Sequence, residues 1–166
     1  LVGFIQSTIL KPGQVLMSDR AGQFAVFNHA ACWVHMERPL RKIICTSEQI
    51  EQELKQVRHA IWVLYRELKE VSISQKGKEN VHKLYDALVA MKTNSAETNA
   101  VIDNFSKYRE EMLRALDHPA LPLHNNDRER DIRSVAKRRN ISGSTKSEDG
   151  RKFRDGLQSI KQTCFR

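Results

Sequence analysis

Apolar residues recur along the middle of the chain at the spacing of an α-helix, and this pattern restricts the fold more than any other feature. From position 50 to position 71 they alternate at intervals of four and three residues. They are Ile50, Leu54, Val57, Ile61, Leu64, Leu68 and Val71. Such spacing places them on one face of a long amphipathic helix, for which Ser47 is a suitable N-cap. Similar spacing over residues 81–91 and 101–116 predicts two more helices, so residues 47–118 are expected to be entirely helical.

The residues before this helical segment predict short strands. The Lys11-Pro12-Gly13 triplet interrupts an amphipathic helical pattern over residues 2–9, and the apolar run 15–17 then predicts a strand. Asp19 follows in a strand-to-helix turn. Residues 30–34 predict a second strand that ends at His35, and Pro39 suits the first turn of the next helix. Strands that alternate with helices predict a mixed or parallel sheet, so the expected fold class is α/β and mostly helical.

Basic residues concentrate near the end of the chain. The net charge is +8, but residues 1–126 hold 16 Lys and Arg against 14 Asp and Glu, whereas residues 127–166 hold 12 against 6. Asn125 or Asn126 can cap a helix that ends near residue 140, and Ser147 can cap a last helix with Phe153, Leu157 and Ile160 on one face. A basic surface in one stretch is typical of a polyanion binder, although a solvated charged face has the same composition.

Several stretches together resemble the transposases of the insertion-sequence sixty-six family. The first is Val15-Leu16-Met17-Ser18-Asp19-Arg20-Ala21-Gly22-Gln23-Phe24, and the second is Cys32-Trp33-Val34-His35-Met36-Glu37-Arg38. The third runs Leu121-Pro122-Leu123-His124-Asn125-Asn126-Asp127-Arg128-Glu129-Arg130-Asp131-Ile132-Arg133. The fourth is Ile141-Ser142-Gly143-Ser144-Thr145-Lys146-Ser147, followed by Gly150-Arg151 and Arg154-Asp155. Their order and spacing carry the resemblance, which covers nearly the whole chain.

This resemblance implies a DDE-type catalytic domain that cuts and joins DNA with Mg²⁺ or Mn²⁺. It implies a partial ribonuclease-H-like core over residues 1–46, an all-helical insertion over 47–118, and C-terminal core helices with a basic surface over 119–166. The second Asp and the Glu of the family's catalytic set fall on Asp19 and Glu129. The first Asp would lie on an upstream strand, so we expect the chain to be a C-terminal fragment that is inactive alone. A transposition complex of several copies on DNA, in the cytoplasm, is the implied setting.

DNA phosphates are the expected partners of the basic residues that surround Glu129 and the Gly143 loop. Backbone amides at the start of the last helix can add to such contacts. The candidate DNA-binding residues are Arg128, Arg130, Arg133, Lys137, Arg138, Arg139, Lys146, Arg151, Lys152 and Arg154. For any single member, a solvated surface cation is an equally good interpretation.

Each candidate site residue has a simpler interpretation. Without the resemblance, Asp19 is better explained as a turn or cap residue, and Glu129 as the partner of Arg133 in an i,i+4 surface pair. The resemblance reverses both interpretations. Cys32 and His35 have half of a zinc-site spacing, which Cys45 or His29 could extend, but a buried Cys and a His at the rim of the active site fit the pattern better.

Other protein classes remain open or are disfavoured. A non-catalytic basic helical module that binds nucleic acid or a partner, or an inactive transposase remnant, is compatible with the same residues. Three cysteines without a CxxC pair argue against a disulfide framework. The longest apolar run, residues 60–65, is far shorter than the roughly 20 residues that span a membrane. Trp33, Trp62 and Phe153 are expected in the core rather than as platforms for bases.

Overall fold

The computed structural model describes residues 13–19 and 28–126, residues 130, 133, 136, 137 and 140, and residues 147–164. The predicted opening helix over residues 2–9 lies outside these ranges. Contacts within the chain divide it into two compact units, Leu1–His124 and Asn125–Arg166. Within the described residues, no helix has both the length and the apolar composition needed to cross a membrane.

Among the residues of the first unit that the structure describes, two short parallel strands form a sheet. Strand β1 covers Leu16–Ser18 and strand β2 covers His29–Ala31, with Leu16 opposite His29 and Ser18 opposite Ala31. The predicted parallel pairing is therefore confirmed for these strands. Gly13 precedes β1 with a φ of 83°, a left-handed conformation that glycine adopts without strain.

The second predicted strand is wrong in its second half. The strand ends at Ala31, and helix α1 covers Trp33–Glu37, so His35 lies within a helix rather than at a strand end. The backbone changes to helical hydrogen bonding at Cys32, whose carbonyl accepts from the His35 and Met36 amides at 3.1 Å. The Ser18 carbonyl still accepts from the Cys32 amide at 3.1 Å, and the Trp33 amide, which points away from β1, donates to the Leu123 carbonyl at 3.1 Å.

A buried carboxylate fixes the chain after α1. A 3₁₀ helix covers Arg38–Lys42 with Pro39 in its first turn, as predicted. Glu37 is fully buried and accepts from Arg41 Nε at 2.7 Å and from Arg58 Nε at 2.8 Å. Because Arg58 lies on the next helix, its ionic hydrogen bond to Glu37 joins the sheet region to the helical segment.

The long predicted helix is confirmed as α2, Glu48–Ser74. The Ser47 side chain accepts from the Ile50 amide at 3.3 Å, as an N-cap does. Six of the seven residues in the predicted apolar stripe are buried, from Leu54 to Val71, and Ile50 is half-buried. The helix ends at Gln75, whose φ of 58° is left-handed.

Three further helices pack in the helical segment. Helix α3 covers Lys78–Ala90, α4 covers Ala96–Lys107 and α5 covers Arg109–Leu113, followed by a 3₁₀ turn over Arg114–Leu116. The third predicted helix is thus correctly located but broken at Tyr108, whose φ of −110° and ψ of 27° are not helical.

Trp33 joins the strands and the helices into one hydrophobic core. Its ring meets Tyr65 and Phe105 edge to face, with centroids 6.0 and 5.8 Å apart, and Nε1 donates to the Met112 carbonyl at 3.1 Å. Leu123, just before the second unit, belongs to the same cluster. The expectation that Trp33 lies in the core is confirmed, while Trp62 is half-buried against Tyr65.

The second unit ends in helix α6, Glu148–Cys164. The predicted cap is confirmed, since Ser147 Oγ accepts from the Gly150 amide at 3.1 Å. The predicted burial of Phe153 is wrong. Phe153, Leu157 and Ile160 expose 71%, 53% and 62% of their surface. The amphipathic pattern thus predicts the helix correctly, but no described residues cover its apolar face.

Candidate active site

Asp19 follows the last residue of β1 and is exposed to solvent. The strand pair is parallel, so the carboxyl ends of β1 and β2 lie at the same edge of the sheet. Ligands of α/β sheets bind outside that edge, because loops there are free to vary while the strands hold position. The carboxylate predicted to hold a metal therefore stands where such a fold builds its site.

Cys32 and His35 lie just beyond the end of the neighbouring strand. Cys32 directly follows β2, is fully buried, and precedes α1 as its N-cap residue. His35 is half-buried in α1, and its amide donates to the Cys32 carbonyl at 3.1 Å. Their assignment to the rim of an active site stays a prediction.

Three side chains whose contact the sequence does not predict form a hydrogen-bonded series that ends at Ser18, the residue directly before Asp19. Ser18 Oγ and His29 Nε2 are 2.6 Å apart, and His29 Nδ1 lies 3.3 Å from Glu111 Oε2. Ser18 and His29 expose only 7% and 5% of their surface, and the Glu111 side chain exposes 28%. The three residues come from β1, β2 and α5, and a separation of 82 residues between His29 and Glu111 leaves no local signal for their contact.

The carboxylate sets the direction of these hydrogen bonds. An ionised Glu111 can only accept, so His29 Nδ1 carries the proton that it shares with this carboxylate. In the neutral imidazole, Nε2 then accepts from the Ser18 hydroxyl. The Ser18 hydroxyl and both ring nitrogens of His29 thus have hydrogen-bond partners. These bonds keep the end of β1 in one arrangement.

Metal binding can be assessed only in part. Among the described residues, no three His, Cys, Asp or Glu side chains form a group able to hold a metal ion. Cys32, His35, Cys45 and His29 are all described, so they do not form the zinc site considered from their spacing. Asp19 is an exposed oxygen donor of the kind that Mg²⁺ and Mn²⁺ prefer. Glu129 lies outside the described residues.

The second unit presents a row of cations. Arg130, Arg133 and Lys137 are helical and exposed, and their spacing of three and four residues puts them on one helix face. The candidate residues Arg128, Arg138, Arg139 and Lys146 lie outside the described residues.

Cations on α6 are partly neutralised by neighbouring carboxylates. Arg151 pairs with Glu148, and Arg154 Nε lies 3.4 Å from Asp155 Oδ1. Lys152 is exposed on the same helix. Arg130, Arg133 and Lys137 thus add exposed positive charge to the part of the second unit that precedes α6.

Comparison with known proteins decides the family. The profile of the family described as "Transposase IS66 family" matches residues 11–152, which include Asp19, the helical segment and Glu129. The chain belongs to the IS66 family of transposases. The expected resemblance is confirmed, and a transposition-related function follows at the level of the family.

One relative is similar over nearly the whole chain. The "Uncharacterized protein y4jO" of Sinorhizobium fredii (strain NBRC 101917 / NGR234) is 36% identical over 154 residues, which cover 90% of this IS66-family chain. The chain spans 47% of that relative's length. No solved structure matches the chain.

Proposed function

We propose that this chain forms part of the catalytic domain of a transposase that cuts and joins DNA by metal-dependent phosphoryl transfer. The observation that carries the proposal is the family match over residues 11–152, combined with an exposed Asp19 at the carboxyl edge of a parallel strand pair. The division into a partial ribonuclease-H-like core, a helical insertion over 47–118 and basic C-terminal helices belongs to the same proposal.

Asp19 and Glu129 are the proposed metal-binding carboxylates, and the ion is Mg²⁺ or Mn²⁺. When bound, such ions lower the pKa of an attacking hydroxyl and neutralise the departing oxygen. The part of Asp19 is to supply a solvent-accessible carboxylate from a strand end that hydrogen bonds hold in place. The role of Glu129 comes from its place in the family's Asn-Asn-x-x-Glu-Arg stretch.

Arg130, Arg133 and Lys137 are proposed contacts to the DNA backbone that follow Glu129 in the sequence. Their common helix face allows several successive phosphates to be met at once, and such contacts position DNA without reading its sequence. The other cations of the second unit, Arg128, Arg138, Arg139, Lys146, Arg151, Lys152 and Arg154, would extend the same basic surface. Transposon ends, target DNA and further copies of the protein are the proposed partners, in the cytoplasm.

The test is transposition of a marked element by the complete reading frame that contains this chain. Asp19→Asn and Glu129→Gln each remove a charge while keeping size, so each should reduce transposition by about a hundred- to a thousandfold, the loss that follows removal of one group that stabilises the transition state. Asp103→Asn and Glu70→Gln are matched controls, because both residues are exposed on helices of the helical segment. Retention of activity by either site variant would exclude that residue from catalysis.

Sharing of one metal site by Asp19 and Glu129 is tested by a double-substitution cycle. Mn²⁺ affinity is measured by calorimetry for each single variant and for the double variant. If both carboxylates hold the same ion, the second substitution adds little to the first, because the site is already lost. Independent, additive losses would mean separate sites and would favour a basic nucleic-acid-binding module over a catalytic domain.

A further inference from the structure

The Ser18, His29 and Glu111 side chains connect the helical segment to the residue directly before Asp19. We propose that these three act as a positioning network, which sets the orientation of Asp19 and makes metal binding there depend on the docking of α5. This inference rests on the proposed role of Asp19 as a metal ligand.

The order of the hydrogen bonds, hydroxyl to imidazole to carboxylate, is the same as in serine hydrolases. Burial argues against that chemistry here. Ser18 exposes 7% of its surface and His29 exposes 5%, so both residues are buried where a nucleophilic serine needs access to a substrate carbonyl. Orientation of a neighbouring residue, rather than nucleophilic attack, is the role that this geometry allows.

Ser18 is anchored twice at the end of β1. Its carbonyl accepts from the Cys32 amide at 3.1 Å, and its side chain bonds His29 Nε2 at 2.6 Å. The backbone bond fixes the strand end against β2, and the side-chain bond restricts rotation of the same residue. Asp19 is covalently attached to this anchored residue, so its exposed carboxylate starts from a fixed backbone position.

Glu111 makes this anchoring depend on the helical segment. It stands on α5, which packs against β2. The next residue, Met112, is buried, and its carbonyl accepts from Trp33 Nε1 at 3.1 Å. The Trp33 contact holds α5 against the sheet and thereby keeps Glu111 within reach of His29. A shift of α5 therefore removes a hydrogen bond that orients the imidazole behind Asp19.

The experiment measures two properties of Ser18→Ala, Glu111→Ala and the wild-type chain. The first is the affinity for Mn²⁺ alone, measured by calorimetry well below the unfolding temperature. We expect both variants to bind Mn²⁺ about tenfold more weakly, the factor that corresponds to one lost hydrogen bond. The second is hydrogen exchange of the Cys32 amide, which should become about tenfold faster because the Ser18 carbonyl is held less firmly.

Two variants separate positioning from a general loss of stability. Ser18→Thr keeps the hydroxyl on a residue that strands favour, and it should restore both Mn²⁺ affinity and slow exchange. Glu110→Ala removes an exposed carboxylate next to Glu111 and should change neither property. A purely structural role would lower the unfolding temperature of Ser18→Ala and Glu111→Ala while leaving Mn²⁺ affinity unchanged, and this result would overturn the inference.

The measurements distinguish a wrong metal site at Asp19 from a wrong positioning network. If Asp19→Asn binds Mn²⁺ as well as the wild type, the proposed metal site is wrong and the network loses its role with it. If Asp19→Asn abolishes binding but Ser18→Ala and Glu111→Ala do not weaken it, only the positioning network is refuted. Covalent labelling of Ser18 by a serine-directed fluorophosphonate would also overturn it, in favour of a nucleophilic Ser18.

Discussion

The buried carboxylate of Glu37 offers a quantitative test of how the sheet region is attached to the helical segment. Glu37 is fully buried, whereas its partners Arg41 and Arg58 expose 51% and 39% of their side chains. Each hydrogen bond to an ionised group contributes about 1.5–3 kcal/mol. Two such bonds combine to about 3–6 kcal/mol, but both arginines regain water when the carboxylate is neutralised. We therefore expect Glu37→Gln to lower the free energy of unfolding by about 2–3 kcal/mol, which is below that combined range.

The arginine variants should not be additive. Arg41→Ala or Arg58→Ala alone leaves Glu37 one cation, and each should cost about 1 kcal/mol because both side chains are partly exposed. Removing both leaves a fully buried carboxylate without a partner, which costs about 3–5 kcal/mol. The double variant should therefore be destabilised by more than the sum of the two single variants.

Urea unfolding followed by circular dichroism at 222 nm measures these free energies. Glu70→Gln is the control, since this exposed residue lies on α2 and its replacement should change stability by less than about 0.5 kcal/mol. Single-variant effects that add to the double-variant effect within about 0.5 kcal/mol would refute the reasoning, because they would mean that the buried charge does not depend on both partners.

Three other outcomes follow from the structure and the charge pattern. Gly77→Ala should lower the free energy of unfolding by about 1–2 kcal/mol because its φ of 85° is left-handed, whereas Gly156→Ala inside α6 should raise helicity by circular dichroism. Burial raises the pKa of Tyr85 far above the usual range, partly opposed by a nearby guanidinium, so the folded phenol stays protonated when the unfolded one ionises. Unfolding free energy should then fall as pH rises above about 10, and Tyr85→Phe should make this fall shallower in urea titrations. Lys137→Ala should weaken DNA binding and reduce the salt slope by about one, and an unchanged slope in a fluorescence titration would identify a solvated surface cation.

Local signals were sufficient for much of the helical architecture. The interval pattern from Ile50 to Val71 predicts α2 because each turn of a helix returns side chains to the same face, whatever they pack against. Ser47 and Ser147 cap their helices through hydrogen bonds to amides three residues ahead. Asp19 was assigned to a strand end from an adjacent apolar run, and the family resemblance, rather than spacing, gave it a chemical role.

Contacts between distant residues decided the rest. The second strand stops at Ala31 because the Cys32 carbonyl begins the hydrogen bonds of α1, and distant partners, Leu123 and Met112, hold the Trp33 amide and ring in that arrangement. The amphipathic pattern of α6 predicts burial of Phe153, which is exposed. Periodicity shows which residues share a helix face, but not whether another part of the protein covers that face. The sequence indicates for His29 only a possible place as an additional ligand of a zinc site. Only the tertiary structure brings it between Ser18 and Glu111, because hydrogen bonds across 11 and 82 residues depend on how β1, β2 and α5 pack.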